Sequence, residues 1–141
     1  MIRPFTQDDT DTVVDIWRAA SALAHPFLSR TFIESEARNL RNIYLAFAET
    51  WVLEKDGNVV GFVALVENAV AGLFLDPAYH GTGLGHAMIK HAQSARGALT
   101  VEVFEKNTIG RKFYASCGFI PERNSVHEPT SERVLHLALE V

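Results

Sequence analysis

Apolar residues recur at helical spacing in two early stretches of the chain. Val13, Ile16, Trp17, Ala20 and Leu23 or Ala24 fall on one side of a 3.6-residue period, which predicts a helix from about Gln7 to Ala24. Thr6, three residues before Asp9, marks its start, with acids in the first turn. His25-Pro26 ends it, because proline disfavours helical backbone at the residue before it. Ser29 is placed to cap a second helix, Arg30 to Ala46, whose apolar side is Phe32, Ile33, Ala37, Leu40, Ile43, Tyr44 and Phe47. Ahead of both, Ile2 to Phe5 reads as a short strand.

From Thr50 the period becomes extended. Trp51 to Lys55 and Val59 to Val66 flank Asp56-Gly57-Asn58, a strong hairpin signal. A tight turn at Glu67-Asn68 leads into Val70 to Leu75, which completes a three-stranded antiparallel meander. Asp76-Pro77 and a glycine run follow, then a helix from Gly83 to about Ala95 with Leu84, Met88, Ile89 and Ala92 inward. The remainder predicts a strand at Leu99–Phe104, a helix at Thr108–Cys117, and strands at Phe119–Val126 and Arg133–Glu140. No repeat, linker or low-complexity segment interrupts the pattern.

At 141 residues, 48% of them apolar, the expectation is one globular domain spanning 1–141. The charge of −4, from 13 Lys and Arg against 17 Asp and Glu, leaves no basic face for nucleic acid. Cys117 is the single cysteine, so neither an intrachain disulfide nor a cysteine metal cluster forms, and no histidine spacing supports a metal. No stretch approaches the roughly 20 apolar residues of a membrane span, and the first residues lack a signal-peptide pattern. A cytoplasmic protein with no membrane partner is expected.

The run Gly81-Thr82-Gly83-Leu84-Gly85 between a strand and a helix is an anion-holding arrangement. Backbone N–H groups at the helix start point outward, and the helix dipole favours negative charge there. The spacing fails two familiar nucleotide motifs. A dinucleotide fold needs G-x-G-x-x-G, whereas His86 stands where the third glycine belongs; a P-loop needs a lysine after its last glycine.

The stretch Leu73-Phe74-Leu75-Asp76-Pro77-Ala78-Tyr79-His80-Gly81-Thr82-Gly83-Leu84-Gly85 closely resembles the central motif of the GCN5-related N-acetyltransferases (GNAT). Asn107-Thr108-Ile109-Gly110-Arg111-Lys112-Phe113-Tyr114-Ala115-Ser116-Cys117-Gly118-Phe119 is similar to that family's second motif, N-x-x-A-x-x-F-Y-x-x-x-G-F. His80 departs from the usual arginine or glutamine, and Gly110 from the usual alanine. The resemblance implies an α+β fold, a mixed and mostly antiparallel sheet of about seven strands flanked by about four helices. It implies acetyl-CoA as co-substrate, no metal, and an N-acyltransferase working by direct attack of an amine on the thioester.

Carried over by position, Leu73, Phe74 and Leu75 would pair with the pantetheine arm. His80, Gly81, Thr82, Gly83, Leu84, Gly85 and His86 would hold the pyrophosphate, with Asn107, Phe113 and Tyr114 completing the cofactor side. A backbone N–H around Phe74 would face the developing oxyanion. Tyr114 occupies the general-acid position; the competing reading is a buried aromatic beside Phe113. The general base has two candidates, Glu67 and Glu102, each also readable as a solvated strand residue. Trp17, His25 and Phe27 would line the acceptor pocket, with His127 and His136 at its border. His86 and Lys90 read as a solvated helix face, and Cys117 as packing. The acceptor is left open among small molecules, peptides and proteins, as is a homodimer. A non-catalytic acetyl-CoA sensor is the rival to an enzyme.

Overall fold

The computed structural model describes residues 1–141. The chain runs through β1 (Ile2–Pro4), α1 (Thr10–Ala24), α2 (Arg30–Asn39), α3 (Leu45–Phe47), β2 (Glu49–Lys55), β3 (Asn58–Val66), β4 (Ala69–Leu75), α4 (Leu84–Arg96), β5 (Leu99–Phe104), α5 (Thr108–Cys117), β6 (Ile120–His127) and β7 (Glu132–Leu139). The seven strands form one sheet in the order β1-β2-β3-β4-β5-β7-β6. Every neighbouring pair is antiparallel except β4 and β5, which run parallel. This is the α+β architecture expected from the motifs.

Local chemistry explains the element boundaries. Asp56 and Gly57 both take positive φ, 54° and 82°, as a two-residue hairpin turn with the twist of its strands demands. The Asp9 carboxylate, at the start of α1, accepts from the Thr6 N–H and from both terminal nitrogens of Arg3, each at 2.9 Å. Arg3 also reaches Glu54, so one guanidinium ties β1, β2 and the first helix together. That pairing holds the Asp9 carboxyl at about 2, below the usual carboxylate range.

The second predicted helix departs from regularity. After Asn39 the backbone passes through a π-helical stretch, Leu40–Tyr44, before the single turn α3. The wider turn keeps Leu40 and Leu45 both buried while leaving Ile43 and Tyr44 exposed. Strand β2 then starts at Glu49, two residues before the apolar run begins at Trp51.

Alternation on the strands divides the core between the two sheet faces. On β3, Val63 and Leu65 pack with Met88, Ile89 and Tyr114 from α4 and α5. Phe62 turns the other way, joining Val13, Ile16 and Leu40 beneath α1 and α2. No helix is long and apolar enough to cross a membrane.

Candidate active site

The site begins where the sheet comes apart. Strands β4 and β5 pair only at Ala69 with Thr100 and Val70 with Val101, then diverge. The Asp76 N–H donates to the Val60 carbonyl on β3. By strand alternation, the Phe74 peptide also points to β3, and those of Leu73 and Leu75 face the gap. The N–H groups of β4 that are open to a ligand in the gap are therefore those of Leu73 and Leu75, not that of Phe74 itself. A cavity of about 430 Å³ fills the divergence, lined by Val70–Leu75 on one wall and Val101–Phe104 on the other.

The glycine run closes one end of this cavity. Gly81 and Gly83 have φ of 76° and 84°, a region costly for other residues, and a Cβ on either would meet nothing within 4 Å. Their peptide groups therefore border open space at the N-terminus of α4, where the first N–H groups lack helical partners. Gly85 is different: its Cβ would lie 2.7 Å from the Phe113 ring, so this glycine brings α4 and α5 together. Leu84 turns into the core and is absent from the cavity wall.

Side chains around the run are tied locally. The His80 Nε2 lies 3.0 Å from the Leu75 carbonyl, which assigns that nitrogen as the donor. His80 thereby fixes the strand-to-turn bend. His86 is not the solvated side chain the helix pattern implied: its Nε2 meets Ser116 Oγ at 2.9 Å, it lies against the Phe113 ring, and it lines the cavity. Lys90, one turn on, is exposed.

Helix α5 supplies Tyr114 and Asn107. Tyr114 is 7% exposed, packed edge-on against Phe113 and Phe119, and lines the cavity. Burial pushes its phenol well above the ordinary tyrosine range, so it stays protonated and able to donate. The Asn107 Oδ1 caps α5 by accepting from the Gly110 N–H at 2.8 Å. That leaves Nδ2 as the donor, 3.3 Å from His25 Nε2. His25 therefore carries its proton on Nδ1, and burial lowers its pKa to about 4, so it is neutral near pH 7.

The far half of the cavity, on the α1–α2 face, is aromatic and acidic. Trp17 meets Phe74 edge-on, and His127 lies edge-on to both Phe32 and Phe104. Glu36 and Glu102 line the cavity, and no lysine or arginine does. Glu36 was not singled out from the sequence, although its place one helical turn beyond Phe32 puts both on one face of α2. Glu102 is paired with His136, Oε1 to Nδ1 at 3.2 Å, and His136 Nε2 is 2.7 Å from Ser125 Oγ.

Two sequence candidates fall outside the cavity wall. Phe27 packs against His25 and Phe104 from behind, with Lys106 over its ring. Glu67 sits in the β3–β4 turn at φ 54°, its carbonyl held by Arg96. That turn is at the paired end of β4, away from the opening, so Glu67 is corrected from a base candidate to a turn residue. Cys117 packs partly buried against the core, as expected.

Taken together, a protonated phenol, free strand peptides, an open glycine turn and two carboxylates converge on one split in the sheet. The model of the acetyltransferase (GNAT) domain matches residues 46–121. The peptidyl-lysine N-acetyltransferase YiaC of Escherichia coli (strain K12) is 31% identical over 120 residues, covering 84% of this chain and 82% of its own. Peptidyl-lysine N-acetyltransferase YjaB of the same organism is 33% identical, over 84% of this chain and 80% of its own. The solution structure of apo-form YjaB superposes with a TM-score of 0.89 at 29% identity, covering 100% of this chain and 98% of the other. The PaiA N-acetyltransferase of Thermoplasma acidophilum, in complex with coenzyme A, shares the fold with a TM-score of 0.79 at 18% identity, over 96% of each chain. The chain belongs to the GNAT acetyltransferase family.

Proposed function

We propose that this enzyme transfers the acetyl group of acetyl-CoA to the ε-amine of lysine in a peptide or protein. One observation carries the reading: a single cavity joins an anion-accepting glycine turn at one end to an aromatic, carboxylate-bearing pocket without Lys or Arg at the other. The names of the two E. coli relatives point to the same acceptor class.

The residues present fit the coenzyme. The peptide groups of Leu73 and the N–H of Leu75, unused by the sheet, offer hydrogen bonds to an extended amide arm. The open turn at Gly81 and Gly83 and the start of α4 offer N–H groups to a pyrophosphate. Acetyl-CoA supplies an activated thioester when bound. With it in place, Tyr114 would be the proton donor to the leaving thiolate, and a peptide N–H of Leu73 or Leu75 would serve the acyl oxygen. On the acceptor side, Glu36 and Glu102 attract an ammonium, and Trp17, Phe32 and Phe104 pack along an aliphatic stem.

The test is calorimetric binding of acetyl-CoA, followed by mass spectrometry of a lysine peptide and its norleucine counterpart. The lysine peptide alone is expected to gain one acetyl group. Tight acetyl-CoA binding with no transfer to any lysine peptide would refute the acceptor assignment.

A further inference from the structure

A second cavity, of about 290 Å³, adjoins the first on the α1–α2 face of the sheet. Its floor follows from residue size. Ala64 on β3 is opposite Gly72 on β4, while Phe62 and Phe74, opposite each other two residues along, stack with ring centroids 5.5 Å apart. Opposed residues share a face, and so do residues two apart on a strand. The small pair therefore leaves a hollow beside the large one. Buried Leu40 and Leu45, on either side of the π-helical stretch, close it from above. Tyr44 and Phe47 also line it and are 44% and 76% exposed, so the hollow opens to solvent at an apolar rim. Exposed apolar surface of this kind marks a place of interaction.

The hollow is continuous with the acceptor half of the first cavity. Trp17, Glu36 and Phe74 line both, so one layer of side chains divides them. Glu36 is the only charged residue around the second cavity, which suits an uncharged, apolar occupant.

We propose that the second cavity receives an apolar side chain of the acceptor peptide, two residues from the lysine that enters the first. The proposal rests on the lysine-acetylation reading above. In an extended peptide, side chains two apart point the same way and are separated by about 7 Å, whereas the one between them points away. A step of that length crosses a single layer of side chains. Glu36 stands on the partition, where it draws the ammonium to one side and leaves the other to the apolar neighbour. A longer acyl chain on the coenzyme fits less well. Its methylenes would pass the Glu36 carboxylate to reach the hollow, and the Tyr44–Phe47 rim would stay uncovered.

The experiment measures kcat/KM, at saturating acetyl-CoA, for lysine peptides that differ at one neighbouring position. Each carries alanine or leucine two residues before or after the lysine, or leucine directly beside it. For wild type, leucine at one of the two-residue positions is expected to raise kcat/KM by about 10-fold or more over alanine, the usual gain from filling an apolar pocket. Leucine directly beside the lysine should give no gain. Ala64→Leu fills the hollow from its floor, away from the wall of the first cavity, so the preference should disappear. Phe47→Ala, at the exposed rim, should weaken the preference, and it carries the test alone if Ala64→Leu does not fold. Equal rates for alanine and leucine peptides, or a preference that survives both substitutions, overturn the subsite and leave lysine acetylation standing. The subsite also falls if Ala64→Leu spares the peptide preference but abolishes transfer from butanoyl-CoA, which assigns the hollow to an acyl chain. A wild-type dimer in sedimentation that Phe47→Ala dissociates assigns the rim to a second copy and overturns it equally. Wild type that binds acetyl-CoA yet acetylates no lysine peptide overturns the acceptor reading, and the subsite with it.

Discussion

Replacing His25 by glutamine should remove most of the acid sensitivity of the fold between pH 6.5 and 4. His25 is largely buried, and burial lowers its pKa from 6.5 to about 4. A depressed folded-state value means that the unfolded chain takes up the proton first. The stability associated with neutral His25 is therefore complete above 6.5 and lost as pH falls towards 4. The full shift corresponds to about 3 kcal/mol, and between about 2 and 3 of it is spent by pH 4.5. Asp9, the other group lowered strongly, titrates from 3.8 to about 2 and so acts below this window. Glutamine at position 25 keeps a side-chain acceptor for the Asn107 amide and has no proton to gain. Urea unfolding at pH 7.5 and pH 4.5, on both proteins, reads the difference directly. Wild type should lose about 2–3 kcal/mol more than His25→Gln between the two conditions. Equal losses would show that His25 is not held neutral by the folded chain.

Other substitutions separate chemistry from packing. Tyr114→Phe should reduce turnover by roughly 10²- to 10⁴-fold, with acetyl-CoA affinity little changed, because the ring stays and only the donor leaves; single-turnover kinetics and calorimetry check the two halves. Gly83→Glu places a carboxylate in the open cradle, so calorimetry should show acetyl-CoA binding lost in a protein that still folds. Gly85→Val should do the reverse, lowering unfolding free energy by about 1–3 kcal/mol as its Cβ meets the Phe113 ring, a range usual for overpacked cores. Glu67→Gln should leave kcat/KM unchanged across pH, since that turn lies outside the cavity.

Most of the strands and helices were legible because their signals are local. Continuous apolar runs gave β3 and β4, Asp56-Gly57 gave the hairpin, and Ser29 caps the helix it precedes. The π-helical stretch at Leu40–Tyr44 was not legible, because its apolar positions suit an α-helix equally well and tertiary packing decides. The cradle was visible as a motif. The reason for each glycine was not: Gly81 and Gly83 serve backbone angle, Gly85 serves helix approach, and sequence spacing cannot separate the two. Glu36 was within reach through its i+4 relation to Phe32. The Glu102–His136–Ser125 line was out of reach, because it depends on the register of three strands. Slipping one of them by a single residue would send its side chain to the opposite face.

The departure at Gly110 acquires a reason from the same geometry. As a helix residue it costs about 0.5–1 kcal/mol relative to alanine. An alanine Cβ there would lie 2.5 Å from Asn107 Nδ2 and 3.0 Å from its Cγ, closer than unbonded atoms approach. The Asn107 side chain would have to shift, at the expense of a cap worth about 1 kcal/mol. Those two quantities nearly cancel, so stability does not choose between glycine and alanine. Glycine leaves room for the observed Asn107 rotamer, which caps α5 through Oδ1 and reaches His25 through Nδ2. His25 lines the cavity at the end of α1 and Asn107 precedes the helix that carries Tyr114, so the contact between them joins two sides of the cavity. The weaker helix former at position 110 is thus read as part of the site, tying α5 to the end of α1 through two side chains.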